Sequence, residues 1–388
     1  AKVAIDIMTV GNDIDTQGKS RDIEGGAYLV DLLNIVPTSV NALHYANIVK
    51  QQSVKRQTIQ AAAKVTQQAY EFDGDVADLV NDVQAEFLEI SGAIRKDTDL
   101  RPVKVGLNEL IDRIEYVQAH PDELRGLPTG LGSLDKILGG LRGGAMVTLA
   151  ARPGMGKSSL ACNIALNVAQ QEKRVAFFSL EMSIEEVSQR FVCDISGINS
   201  HTFNTCQFKD DEYLRLMPAV AAVEQLPIMI DDTSGISPQE IRAKVRKQAA
   251  ISGLDLIIVD YMQLMTAGKG GNRQEEVSFI SAQMKNLARE LDVPILALAQ
   301  LNRSVESRSD KRPMLADLRE SGAIEQDSDV VIFLYRDEVY DPDSPDSGMA
   351  ELIVAKHRQG PTGITRAFYQ KEIMKFQPLA IRTDPLDY

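Results

Sequence analysis

The segment MVTLAARPGMGKSSLACNIALNVAQ, residues 146–170, decides the fold class. MVTLAA is a continuous apolar run of strand length, and SLACNIALNVAQ has the composition of a helix. Between them lies ARPGMGKSS, residues 151–159, in the strand–turn–helix setting that a phosphate-binding loop requires. Gly154 and Gly156 allow backbone N–H groups to wrap phosphates at a helix N-terminus, where negative charge is favoured. Lys157 is placed to reach the β and γ phosphates, and Ser158 to offer its hydroxyl to magnesium. Ala151 stands where the usual pattern has glycine. Ala151, Arg152, Pro153, Gly154, Met155, Gly156, Lys157, Ser158 and Ser159 are the residues expected to hold ATP.

Outward from this segment, apolar runs alternate with helical stretches: RVAFFSL, PIMID, LDLIIVDY, VPILALAQ and DVVIFLY. Runs of this kind fit strands buried on both faces, and the alternation predicts a mainly parallel α/β sheet. The tail over 350–388 reads as further strands and turns. In LIIVDY, Asp260 ends a strand at the edge where open α/β sheets bind ligands, and is the candidate magnesium carboxylate. Glu181, just past RVAFFSL, either acts as general base or caps the helix that begins in EMSIEE. Gln300 ends VPILALAQ and either senses the γ-phosphate or simply terminates the strand.

The stretch 301–329 is long, polar and without clear periodicity. Arg303, Arg308, Lys311, Arg312 and Arg319 make it locally basic, as a loop that tracks a phosphate backbone would be, although a solvated surface loop is the competing reading. In AKHRQGPTG, residues 355–363, Lys356 and Arg358 sit two apart at a strand end and face the same way, so both could meet one phosphate. A basic surface strand end would read the same.

The formal net charge of −13 argues against binding nucleic acid with the whole surface. Cys162, Cys193 and Cys206 form no CxxC pair and are expected to be free thiols in a reducing cytoplasm. With four histidines in no ligand pattern, metal chemistry falls to carboxylates and phosphate, which suits magnesium. No apolar run reaches membrane-spanning length, and the start AKVAIDIMTVGNDID is not a secretory signal. Residues 24–93 read as helices, and SGAIRKDTDLRP (91–102) as a linker. Leu107, Leu110, Ile111, Ile114 and Val117 then form one helical stripe that must dock on its own chain or on a neighbour.

ARPGMGKSS, SLEM, IIVDYMQLM, ALAQLNRSVESRSDKRP, DLRESGAIEQDSDVVIFLYRDEVY and KHRQGPTG, in this order, closely resemble the bacterial DnaB replicative helicases over about residues 125–380. IDIMTVGNDI, GGAYLVDLLNIVPT and HYANIVK carry a weaker resemblance to the helical N-terminal domain, whose beginning is not seen; a trimmed start or a phage or plasmid member would explain this. The resemblance implies an α/β RecA-like P-loop ATPase core with a mainly parallel sheet, preceded by a small all-α N-terminal domain. The expected divisions are a helical domain over 1–93, a linker with its helix over 94–120, and the ATPase domain over 121–388.

The resemblance further implies a homohexamer around single-stranded DNA, moving 5′ to 3′ with ATP between subunits. Glu181 matches the catalytic glutamate, and Gln300 the motif coupling nucleotide to DNA. Arg358 matches an arginine finger from the adjacent subunit, with Lys356 beside it, and Arg319, Glu320 and Gly322 match the DNA-facing loop. The helix near 105–118 matches the linker helix, and primase and a helicase loader are the implied partners. Two other readings stand beside this one: a filament-forming RecA-like recombinase, and an ATP-gated scaffold for replication proteins.

Overall fold

The computed structural model describes residues 42–71, 103–119, 126–267 and 272–379. The helices expected over 24–41 and 72–93, and the linker over 94–102, lie outside them. The chain divides into two units, Ala1–Ile111 and Asp112–Tyr388. In the first, helix α1 (Ala42–Glu71) runs through the Ala-, Gln- and Lys-rich stretch without Pro or Gly to break it. Helix α2 (Val103–Ala119) crosses the division. Its Leu107, Leu110, Ile111 and Ile114 are exposed within this chain.

The second unit runs α3 (Gly132–Leu138), β1 (Met146–Ala151), α4 (Lys157–Ala169), β2 (Val175–Ser179), α5 (Ile184–Ser196), α6 (Ser200–Thr205) and α7 (Asp210–Glu224). It continues with β3 (Ile228–Asp231), α8 (Pro238–Ser252), β4 (Leu256–Asp260), α9 (Arg273–Leu291), β5 (Ile295–Gln300), α10 (Gly322–Asp327) and β6 (Val330–Tyr335). Three strands close it: β7 (Met349–His357), β8 (Gly363–Gln370) and β9 (Lys375–Pro378).

Among the described residues the strands form one sheet in the order β3-β2-β4-β5-β1-β6-β7-β8-β9. The first six in that order are parallel, and β7, β8 and β9 continue the sheet antiparallel. Parallel strands need helical crossovers, and the helices cover both faces. Side chains alternate accordingly. Val147, Leu149 and Ala151 of β1 face a core shared with α4 and α5, while Met146 and Ala150 face one shared with α8 and α9.

The expected polar stretch 301–329 is more ordered than its composition suggests. It folds into two 3-10 turns, Arg303–Ser307 and Leu315–Ser321, followed by α10. Asn302 caps the first turn by accepting from the Ser304 N–H, and Asp317 accepts from the Met314 N–H at the second. Short polar side chains thus replace the hydrophobic periodicity that a sequence reading looks for.

Phe333 on β6 is fully buried in the core against α9. Phe333→Ala is expected to lower unfolding stability by about 3–5 kcal/mol through reduced burial and a cavity. Denaturant unfolding of the two proteins checks this, and a loss under about 1 kcal/mol would contradict the packing described.

Candidate nucleotide-binding site

The carboxyl ends of the central parallel strands converge on one edge. Ala151 pairs with Gln300 across β1 and β5, and Ser179 pairs with Asp260 across β2 and β4. A cavity of about 300 Å³ opens there, lined by the loop 151–159 and by Glu181, Arg190, Gln300, Tyr369 and Met374. Gly154 and Gly156 have φ of 82° and 95°, in the left-handed region where a side chain would be strained. A Cβ on Gly156 would also meet the Phe376 ring at 3.2 Å. Helix α4 starts at Lys157, so its free N–H groups face the cavity.

Lys157 Nζ lies 3.4 Å from Asp260 Oδ1 and 4.2 Å above the centre of the Tyr261 ring. Burial pushes the Lys157 ammonium below the ordinary lysine range, and the carboxylates of Asp260 and Glu181 act against that shift. Asp260 is fully buried, and neither of its carboxylate oxygens has a hydrogen-bond partner. Unsatisfied buried oxygens next to the phosphate-loop lysine are what a hard dication with oxygen ligands would fit. No group of three or more His, Cys, Asp or Glu suited to a metal occurs among the described residues. A dication here would therefore rely on Asp260, Ser158 and the nucleotide's own phosphates.

Glu181 is exposed and lines the cavity. The N-cap of α5 is Ser183, in a reciprocal capping box with Glu186. Glu181 is left for the cavity. The backbone of Gln300 is clasped by the Gln263 amide, which accepts from its N–H at 3.3 Å and donates to its carbonyl at 3.2 Å. The Gln300 side chain is exposed and borders both the phosphate-loop cavity and a second one lined by Tyr261, Arg273 and Arg303.

Two members of the loop do something other than face phosphate. The Arg152 guanidinium turns to the segment after β5, donating to Glu306 and to the Leu301 carbonyl. Ser159 is buried and accepts from Arg190 at 2.8 Å. Residues without a motif brace the loop from behind. Buried Arg336 donates to the Gly154 carbonyl at 3.3 Å, pairs with Glu338 and lies 4.3 Å over the Tyr369 ring. Tyr369 packs on Phe376, whose N–H donates to Asn163 of α4. No spacing in the sequence links β6, β8 and β9 to the phosphate loop; only the sheet order does.

Part of the basic character of 301–329 is engaged inside the chain. Arg308 pairs with Asp317 at 2.8 Å, Arg312 with Glu351 at 2.7 Å, and Lys311 lies 4.5 Å over the Tyr340 ring. Arg303 is exposed. The backbone of Arg319 and Glu320 lies in the turn Leu315–Ser321, and their side chains lie outside the described residues. Gly322 begins α10, and nothing lies within 4 Å of where its Cβ would be.

Lys356 and Arg358 do face the same way: both donate to backbone carbonyls at the end of α10, Lys356 to Glu325 and Arg358 to Gln326. They stand on the other edge of the sheet from the phosphate loop. Because β7 runs antiparallel, its end pairs with the start of β6, and the Arg358 N–H donates to Asp329, which itself bonds Met146 at the start of β1. The length of β1 separates Met146 from Ala151, about 17 Å at roughly 3.3 Å per residue. These cations do not meet the nucleotide cavity of their own chain.

Comparison with known proteins accords with this geometry. The DnaB-like helicase C terminal domain family matches residues 126–378, and the DnaB-like helicase N terminal domain family matches residues 1–51. The chain is 40% identical over 385 residues to the replicative DNA helicase DnaC of Bacillus subtilis (strain 168), covering 98% of this chain and 84% of that protein. It is likewise 40% identical over 389 residues to the replicative DNA helicase DnaB of Geobacillus stearothermophilus, with 98% and 84% covered. A solved structure described as a DnaB-like replicative helicase and its interactions with primase matches with a TM-score of 0.72 at 30% identity, over 97% of this chain and 88% of its own. With a family match over most of its length and relatives this similar, the chain belongs to the DnaB-like replicative helicase family.

Proposed function

We propose that this chain is an ATP-dependent replicative DNA helicase that works as a homohexamer and moves 5′ to 3′ on single-stranded DNA. The observation that carries the reading is the division of the chemistry between two edges of one sheet. Lys157, Ser158, Asp260, Glu181 and Gln300 gather at the carboxyl edge, while Arg358 and Lys356 stand at the other. A neighbouring copy that sets its Arg358 edge against this cavity completes a site that one chain leaves unfinished.

In that site the loop N–H groups and Lys157 hold the β and γ phosphates. Glu181 accepts a proton from the attacking water as it meets the γ-phosphorus. The neighbour's Arg358, with Lys356 beside it, neutralises the charge that builds on the transferred group. Ser158 and Asp260 would hold magnesium, which neutralises charge on the phosphates. Gln300 senses the γ-phosphate from its clasped strand end. Arg319, Glu320 and the open backbone at Gly322 hold the DNA phosphates. Sequential hydrolysis around the ring then hands the strand from one subunit to the next.

The N-terminal domain over 1–93 is proposed to receive primase, consistent with a structural relative described with primase. The linker over 94–120 carries α2, whose exposed stripe docks on the next subunit. A helicase loader and a cytoplasmic setting complete the proposal. No described helix is long and apolar enough to cross a membrane. Family membership does not favour the recombinase or scaffold readings.

Lys157→Ala is expected to lower DNA-stimulated phosphate release by roughly 10²–10³-fold or more, the scale for removing a fixed charge-stabilising group. Unwinding of a forked duplex should be abolished with it, and hydrolysis retained at wild-type rate would refute the site. Arg358→Ala alone should bind nucleotide yet fail to hydrolyse it. Mixing it with Lys157→Ala should restore part of the activity, because mixed rings contain interfaces with both elements intact; no recovery on subunit exchange argues against a shared site. Arg319→Ala should weaken single-strand binding and flatten its salt dependence, by about 0.7 in log–log slope for each DNA phosphate the variant no longer neutralises.

A further inference from the structure

Arg152 lies inside the phosphate loop, yet its guanidinium leaves it. It is only 8% exposed, and its nitrogens are spent on one acceptor pair. Nε and Nη2 donate to Glu306 Oε1 at 2.9 and 2.6 Å, and Nη1 donates to the Leu301 carbonyl at 2.7 Å. Leu301 is itself tied back, its N–H donating to the Ala151 carbonyl at 3.1 Å. The loop that wraps phosphate is therefore fastened by a charge-assisted fork to the segment that leaves β5.

From Glu306 the contacts continue without a gap. Glu306 sits in the turn Arg303–Ser307, which is pinned by fully buried Val305. The Arg308 N–H donates to the Val305 carbonyl, and the Arg308 guanidinium donates to Asp317 at 2.8 Å and to the Arg312 carbonyl at 2.9 Å. Asp317 accepts from the Met314 N–H, and its carbonyl accepts from the Asn302 N–H at 3.3 Å. Residues 302–317 thus close into a unit cross-linked at both ends, and the turn Leu315–Ser321 is part of it. This unit would move as one piece, because shifting either end breaks a buried or charge-assisted bond.

We propose that the Arg152–Glu306 ion pair is a mechanical link through which the state of the phosphate loop sets the position of the turn Leu315–Ser321. Arg152 and Glu306 are positioning residues in this scheme. The inference rests on the reading above, that this turn faces DNA. It adds a route separate from Gln300, whose backbone is held by Gln263 on the β4 side. Three features support a link over simple anchoring. The guanidinium donates to Glu306 and to the Leu301 carbonyl, both outside the phosphate loop. Its charged partner is a half-exposed residue on a turn rather than a core group, with 47% of the Glu306 side chain accessible. The chain of bonds reaches the turn that carries Arg319, with a side branch to the sheet where Arg312 pairs with Glu351 of β7.

Spatial continuity alone does not establish coupling, so the test reads coupling directly. The full chain would be assayed for hydrolysis without DNA, for hydrolysis with an oligothymidylate, and for oligothymidylate affinity with a non-hydrolysable ATP analogue and with ADP. Glu306→Ala is expected to leave hydrolysis without DNA within about twofold of wild type, while the ratio of the two DNA affinities falls by roughly fivefold or more, the lower range of allosteric coupling. By linkage, the effect of DNA on nucleotide affinity should fall by the same factor. Arg308→Ala, which breaks the next link away from the phosphate loop, should produce the same decrease. The double variant should be no worse than either single one, as for links in series. The proposal is overturned if Glu306→Ala keeps the wild-type affinity ratio. It is equally overturned if hydrolysis with and without DNA falls in parallel, the mark of a purely structural brace, or if Arg308→Ala weakens DNA binding equally in both nucleotide states. A wild-type protein that neither binds nor responds to oligothymidylate would instead refute the helicase reading, leaving the two failures distinct.

Discussion

Burying the Asp260 carboxylate against the Lys157 ammonium is the constraint around which the second unit is built. Asp260 is fully enclosed, its oxygens accept no hydrogen bond, and Lys157 stands 3.4 Å away with 11% of its side chain accessible. Removing such charges from water costs several kcal/mol per ion, and an imperfectly bonded pair does not recover it. A well-packed apolar pair at this place would serve the fold better. The unmet demand fits the proposed site, in which phosphate and a dication would take it up. The surroundings follow from holding it: α4 must begin at Lys157, the loop before it must pass through left-handed backbone, and Arg336, Tyr369 and Phe376 must press on that loop from behind.

Sheet direction then determines which groups can serve which nucleotide. Six parallel strands send every carboxyl end to one edge, so residues distant in sequence, from Ala151 to Gln300, share one cavity. The reversal at β7 sends the next strand end to the other edge and carries Lys356 and Arg358 with it. The same reversal brings β8 and β9 back against α4, so the chain's last strands support the loop near its middle. One change of direction thus sets these cations apart from the phosphate loop and reinforces that loop.

Much of this was legible in the residues. Each parallel strand announced itself as an apolar run, and the phosphate loop and Asp260 followed from spacing in a strand context. Glu181 stayed ambiguous because a glutamate before a helix suits both a cap and a cavity. The Ser183–Glu186 capping box, itself a readable pattern, takes the cap from Glu181, and the part of that glutamate in catalysis belongs to the proposed reading. What could not be read is direction and partnership. Nothing in ARPGMGKSS tells that Arg152 faces Glu306, 154 positions along, because crossover order sets that meeting. The same holds for Arg308 and Arg312, whose charges looked available to nucleic acid until Asp317 and Glu351 were placed beside them. Irregular backbone hid the order of 301–321, since turns held by Asn302 and Asp317 have no periodicity to detect.

These ion pairs also bear on how a chain of net charge −13 would hold an anionic strand in the proposed reading. Charge acts through water over about 8 Å at physiological ionic strength, so acidic surface beyond that distance contributes little repulsion where the strand is gripped. Arg308 and Arg312, spent on carboxylates, contribute little attraction either. In the proposed reading, binding by this part of the chain comes from few groups: the turn Leu315–Ser321, and backbone N–H groups near Gly322, where a Cβ would meet nothing within 4 Å. Few phosphates held per subunit mean a shallow salt dependence for one copy and weak holding by any single turn. A motor that must release and regrip its strand at every step works with that balance, provided several copies hold at once. In the proposed ring, such sparseness in one subunit would be offset by the several subunits that hold the strand at once.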